Sequence, residues 1–186
     1  MSALLAFAAL AGVAAPCAAV VYLTQPQALA EAFPGARVER RAFALTPGQV
    51  QAVEGRAHVR LPSRLVTAYA AWRGDTLAGT AFFESHTIRT MPGVFMVVVA
   101  PDTTIARVEV LAFHEPADYR PTARWLDGFG RRRLDDRLWP ARDLRNLAGA
   151  TLSARSVTES ARLALALYET VVVPALRGAP AAREGR

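Results

Sequence analysis

No lysine occurs in the chain: all 22 basic side chains are arginine. An arginine-only, alanine-rich chain is what biased codon usage produces. The formal net charge of +6 is therefore not read as the footprint of a nucleic acid. Nor are the basic residues interleaved with aromatic ones along a single stripe. The densest basic run, Arg131-Arg132-Arg133, is followed at once by Asp135 and Asp136 and reads as a solvated loop that neutralises itself. Cys17 is the only cysteine, which excludes an intramolecular disulfide and a cysteine-ligated metal. His58, His86 and His114 stand far apart, without a spacing such as H-x-x-x-H, so no zinc site is expected. No internal repeat and no low-complexity linker divides the chain.

Charge is also missing from residues 1–30. Residues 3–15 form an apolar run of signal-peptide length, ended by Pro16 and followed by Cys17, Ala18 and Ala19. Cleavage after Ala18 or Ala19 suits this pattern, although no basic residue precedes the run. Two other readings stay open. Residues 3–23 are just long enough for an uncleaved anchor, and the segment can also be a buried helix. Cleavage and anchoring alike put the domain outside the cytoplasmic membrane. The division expected is a signal peptide or anchor at 1–19, one domain at 20–176 and a disordered tail at 177–186.

The domain itself shows a clear order of elements. Thr24-Gln25-Pro26-Gln27 is a capping box with proline in the first turn, predicting a helix to about Phe33 that Pro34-Gly35 stops. Residues 37–45 alternate charged and apolar, as a half-buried strand does. Thr46-Pro47-Gly48-Gln49 is a second capping box, predicting a helix to about Glu54. The middle is β: strands at 65–72 and 76–87 around the turn Arg73-Gly74-Asp75, then 94–99 and 103–113 as a hairpin. A short helix follows at 125–129, and residues 134–147 read as mixed loop and helix. The order predicts an α+β fold, an antiparallel twisted sheet flanked by helices.

One stretch near the end bears on chemistry: Asn146-Leu147-Ala148-Gly149-Ala150-Thr151-Leu152-Ser153. After it, apolar residues fall at Val157, Ala161, Ala164, Leu165, Tyr168, Val171 and Val172, one face of a 3.6-residue period. The stretch is thus a loop feeding a helix N-terminus, where unpaired N–H groups and the dipole favour an anion. Gly149 lets a ligand approach the backbone, and Thr151 offers a hydroxyl. A phosphate-sized site is one reading. An ordinary loop with a Thr or Ser N-cap is the other.

Four blocks in this order carry a resemblance. They are residues 87–99 (Thr87 to the Pro92-Gly93 turn and the apolar strand), residues 114–119 (His114, Glu115 to Tyr119), residues 125–131 (Trp125-Leu126, Phe129, Arg131) and residues 143–158, which contain Ala148-Gly149-Ala150-Thr151. Together they resemble the FMN-binding domain family, which includes the covalent-flavin subunits of sodium-pumping NADH:quinone oxidoreductase and of the Rnf complex. The resemblance covers roughly residues 60–172. It implies FMN held through a phosphoester to the hydroxyl of Thr151, installed from FAD by a Mg-dependent flavin transferase. Arg145 stands where the family has its second Asp, and Ala148 where it has Ser or Thr. Both positions belong to the motif that the transferase reads. Arg145 suits a phosphate partner, which favours tight non-covalent FMN. Ser153 is a second candidate acceptor.

The cofactor-binding candidates are therefore Thr151, Gly149, Ala150, Ala148, Leu152, Ser153, Arg89, Thr87, His86 and Glu115. His86, Thr87 and Arg89 precede the Pro-Gly turn, either against the flavin or at a solvent-facing strand end. Tyr119 lines the same cleft or packs in the core. Trp125 and Phe129, four apart, read as packing rather than as stacking on a ligand. No acid/base pair is identifiable, so no catalytic residue is assigned. The function expected is an exported flavoprotein on the periplasmic side of the membrane. It would pass electrons between membrane-associated redox partners, such as a quinone- or cytochrome-linked donor and acceptor. The alternative is a flavin-free scaffold or interaction domain of the same fold in a membrane redox complex.

Overall fold

Two capping boxes start the first two helices of the computed structural model, which describes residues 20–178. The N–H of Thr24 and that of Thr46 each donate to a Gln side-chain oxygen three residues on, at 2.9 Å. They open α1 (Gln25–Ala32) and α2 (Pro47–Ala57), both with proline in the first turn. The signal peptide or anchor expected at 1–19 lies outside the described residues. Among the described residues no helix is long and apolar enough to cross a membrane.

The strands are β1 (Val20–Val21), β2 (Arg37–Ala44), β3 (Leu65–Arg73), β4 (Thr76–Thr87), β5 (Pro92–Val99) and β6 (Ile105–Phe113). They form one antiparallel sheet in the order β1-β6-β5-β4-β3-β2, with helices against it, so the fold is α+β as expected. The Gly74 turn and the β5–β6 hairpin stand where the turn residues put them. Residues 134–147 hold no helix; they form turns and a single bridge between Pro140 and Leu144. Register shifts interrupt the β3–β4 ladder at Ala71/Trp72 and the β5–β6 ladder at Val94/Phe95 and Val98/Val99, and one ladder also ends early. The β3–β4 ladder runs from Arg73 opposite Thr76 to Tyr69 opposite Ala81 and stops there, although both strands continue. Beyond that point residues 65–68 pair only with β2, and residues 82–87 only with β5.

Side chains alternate across the sheet, and both faces are covered. Phe82, Phe95, Val97 and Val99 join the larger core with α2 and α4 (Thr151–Leu167). Ala81, Met96 and Val98 join a smaller cluster under Phe33 at the end of α1. Burial on both faces explains why residues 94–99 are apolar without alternation. The predicted short helix is α3 (Ala123–Leu126) continued by a 3-10 turn, Asp127–Phe129. Trp125 and Phe129 are buried and meet edge to face, with ring centroids 5.2 Å apart.

Helix α4 is buried almost all round, not along one stripe. Its hydroxyls stay satisfied by reaching back one turn: Thr158 Oγ1 donates to the Ala154 carbonyl and Ser160 Oγ to that of Ser156. Past Leu167 the chain widens into a π-helical segment, Tyr168–Val172, where the Val173 N–H donates to the Tyr168 carbonyl. This precedes Pro174 in α5 (Val173–Gly178), whose ring a regular helix does not accommodate. The expected tail at 177–186 is helical as far as Gly178; the rest lies outside the described residues.

The arginine run is neutralised by other partners than expected. Arg132 pairs with Asp143 at 3.0 Å and Arg133 reaches Asp102, whereas Asp135 accepts N–H bonds from Arg137 and Leu138. A buried cation was not foreseen at all. Arg162, fully buried in α4, donates from Nε to the Ala57 carbonyl (2.6 Å) and from Nη1 to those of Asp135 (2.6 Å) and Leu138 (3.2 Å). Its guanidinium carbon sits 4.6 Å from the centre of the Trp139 ring. Burial lowers its pKa, Asp136 and Asp135 act the other way, and it stays charged. Each acceptor left bare in the interior costs about 1–3 kcal/mol. Arg162→Leu is thus expected to lower the unfolding free energy in urea by about 3 kcal/mol or more, against about 0.5 or less for the exposed Arg60→Leu. A loss under about 1 kcal/mol would show that Arg162 is not a structural tie.

Candidate functional site

The N-terminus of α4 has no side-chain cap. Its N-cap is Ala150, which has nothing to offer, and the first intrahelical bond runs from the Ala154 N–H to the Ala150 carbonyl. The N–H groups of Thr151, Leu152 and Ser153 therefore precede the helical ladder. The ordinary Thr or Ser N-cap allowed by the sequence is not what forms. Gly149 turns the chain into the helix at φ +76°, a left-handed conformation that favours glycine, and a Cβ built there meets nothing within 4 Å. Thr151 is exposed in the first helical position. Ser153 is 1% exposed, and its Oγ has no hydrogen-bond partner.

Two other segments face this helix end. Ile88 and Arg89 come from the β4–β5 connection, and Tyr119 from a 3-10 turn, Ala117–Tyr119. Together with residues 149–153 they line a cleft of about 210 Å³. The Arg89 guanidinium lies over the Tyr119 ring, 4.7 Å from its centre, which holds a cation at the edge of the cleft. Room for the Ile88 side chain comes from Gly93: a Cβ there would lie 2.7 Å from Ile88 Cδ1.

Glu115 shapes the connection rather than the cleft wall. Its Oε1 accepts the N–H groups of Thr90 (2.7 Å), Met91 (2.9 Å) and Arg89 (3.0 Å). These bonds, Thr90 and Met91 foremost, hold its carboxyl below the usual carboxylate range, with the Arg89 charge adding to them. The Trp125 indole plays a similar part in the neighbouring loop, donating to the Arg145 carbonyl at 2.7 Å.

Of the residues singled out from the sequence, the structure brings together Thr151, Gly149, Ala150, Leu152, Ser153 and Arg89, with Tyr119. It does not bring Ala148, Thr87, His86 or Glu115 to the wall of that cleft. Thr87 and Ala148 are exposed, and Glu115 is committed to the three N–H groups. His86 turns inward towards Phe95, with ring centroids 6.3 Å apart and Nε2 buried without a partner. Burial lowers its pKa, Glu159 opposing, so the imidazole is neutral. Arg145 lines a neighbouring cleft of about 430 Å³ with Arg124, Arg132 and Asp143, so the cation at the Thr151 cleft is Arg89. Ile88 was missed, since one apolar residue before a turn carries no signal of its own. Among the described residues no group of three or more His, Cys, Asp or Glu is placed to hold a metal.

Comparison with family models, with curated proteins and with solved structures finds no match to this chain.

The shape of residues 88–91 depends on an ionised Glu115. A carboxylate whose pKa is depressed on folding contributes stability above its unfolded pKa, about 4.3, and that is lost as the pH falls through the lower folded value. Protection of the Arg89, Thr90 and Met91 amides is expected to persist to below about pH 4.3 in the wild type. In Glu115→Gln those amides should exchange faster by on the order of tenfold at neutral pH, read by hydrogen exchange. Equal exchange in the two proteins would remove Glu115 from its assigned role.

Proposed function

We propose that the chain is an FMN-binding, electron-transferring flavoprotein whose cofactor phosphate sits at the N-terminus of α4. The observation that carries this is the meeting of an uncapped helix end, the exposed Thr151 hydroxyl, the partnerless Ser153 Oγ and the Arg89 guanidinium on one cleft. Each of these groups suits a phosphate. The open space beside Gly149 leaves room for it. The cleft, about 210 Å³, is smaller than the ~300–1,000 Å³ that bury a whole drug-sized ligand. It fits the phosphate and the start of the ribityl chain, with the ring beyond it.

In this reading Thr151 carries the phosphate as an ester, and Arg89 and the free N–H groups neutralise it. Tyr119 holds Arg89 in place, and Glu115 fixes the backbone that presents it. FMN, when bound, supplies reversible electron transfer, while the protein binds and orients it. The resemblance in sequence supplies the rest of the proposal: a flavin transferase for maturation, membrane-associated redox partners, and a position on the periplasmic side of the membrane.

The test is intact mass of the full chain co-expressed with a periplasmic flavin transferase, with the denatured band viewed for flavin fluorescence. A gain equal to FMN minus water, absent in Thr151→Val, is the expected result. An unchanged mass in a yellow native protein would transfer the phosphate from the ester to Arg89 and the helix end alone. A colourless protein after incubation with FMN would overturn the flavin reading and leave the scaffold of the same fold.

A further inference from the structure

The gap in the sheet coincides with an unpaired carboxyl group. Where the β3–β4 ladder stops, four further pairs of the same register, Ala68 with Phe82 through Leu65 with Ser85, do not form. A cavity of about 270 Å³ opens there. Its lining includes side chains from both apolar clusters. Tyr69 and Phe83 come from the smaller apolar cluster, and Val66 from the larger. The two rings meet edge to face at 5.2 Å. The Gln25 amide and the Ser63 and Thr67 hydroxyls add polar groups.

Glu84 lines this cavity, half-buried, with no hydrogen-bond or ion-pair partner among the described residues. Burial alone raises its pKa to about 7. A carboxylate taken from water without a counter-ion is unfavourable, so something positive beside it is favoured. Two aromatic rings and a carboxylate around a small cavity are the elements that recognise organic cations. An anion would be repelled by the Glu84 carboxylate, and an apolar guest would leave that carboxylate bare.

We propose that this gap is a binding site for a small organic cation, an alkylammonium or guanidinium group, with Glu84 as its counter-ion and the Tyr69 and Phe83 rings as its walls. Occupancy offsets the missing ladder by supplying donors to the cavity. The site is separate from the Thr151 cleft, with which it shares no lining residue, and does not depend on the flavin reading.

The test is NMR titration of the full chain carrying 13C at its Glu carboxyl groups, read at Glu84. The probes are n-butylammonium chloride and guanidinium chloride, with KCl at equal ionic strength as control. A saturable shift at Glu84 is expected, with its titration midpoint falling by about one pH unit or more at saturation. Tyr69→Leu and Phe83→Leu should each weaken binding by about two- to thirtyfold. An acetyl-Gly-Arg-Gly-amide that binds more tightly than guanidinium would identify a partner protein's side chain as the source of the cation. Tighter binding of the free ammonium would identify a metabolite-sized amine. A Glu84 response no larger than with KCl, in the unmodified protein, would overturn the proposal.

Discussion

A single guanidinium, that of Arg162, sets how the helical layer meets the rest of the chain. Its donors reach the end of α2 and two carbonyls of the 135–138 loop, so segments remote in sequence are tied to the middle of α4. None of these acceptors is a carboxylate. The charge is instead spread over neutral carbonyl dipoles and the face of Trp139. Such a cation is favourable only when every carbonyl is in place, which makes the arrangement all-or-none. The position of the helix N-terminus depends on it, since one continuous helix runs from Thr151 through Arg162. The candidate site is therefore aimed from the helix interior, three turns away from its own residues.

At the site, polar groups are held by backbone contacts of other segments. Glu115 binds three consecutive N–H groups, and the Trp125 indole holds the carbonyl of Arg145. The two supports fix the segments around the Thr151 cleft and leave its own groups, the helix N–H donors and the Ser153 hydroxyl, without partners. Partnerless donors in a fixed array are a source of affinity, because little conformational entropy is lost when an anion meets them. That is the physical content of the functional proposal, and it stands whether the bond to Thr151 is covalent or not.

Much of the fold was legible because its signals are local. The capping boxes at Thr24 and Thr46, the turn at Gly74 and the apolar run at 94–99 each rest on a few adjacent residues. The cleft was legible in part. Gly149 and Thr151 announce a helix end, and Arg89 lies just ahead of Pro92-Gly93, which open β5. What failed to show were features made by tertiary approach. Arg162 reads as one more polar residue in a helix, and only packing against α2 and the 135–138 loop makes it a tie. Glu115 looked like a cleft residue, since nothing in its neighbours reveals that the 88–91 backbone turns its N–H groups towards it. His86 sits on the alternate of β4 that faces α4, so it turns inward. The break between β3 and β4 is hardly marked in sequence, since both strands run on past it. Its one sign is Glu84, a charge directly after Phe82 and Phe83.

The edge strand β2 carries Arg37, Glu39, Arg40 and Arg41 within five consecutive positions, on the one long strand that has a free side. Arg37 and Arg41 both bond Glu39, so the ion pairs lie along the strand and not across to a neighbour. A second chain approaching this edge would have to bring its backbone past that arginine row, which repels an identical copy. Such a row works against sideways growth of the sheet. Crowding at high concentration should leave it dispersed until that positive edge is screened by salt or capped by an acidic polymer.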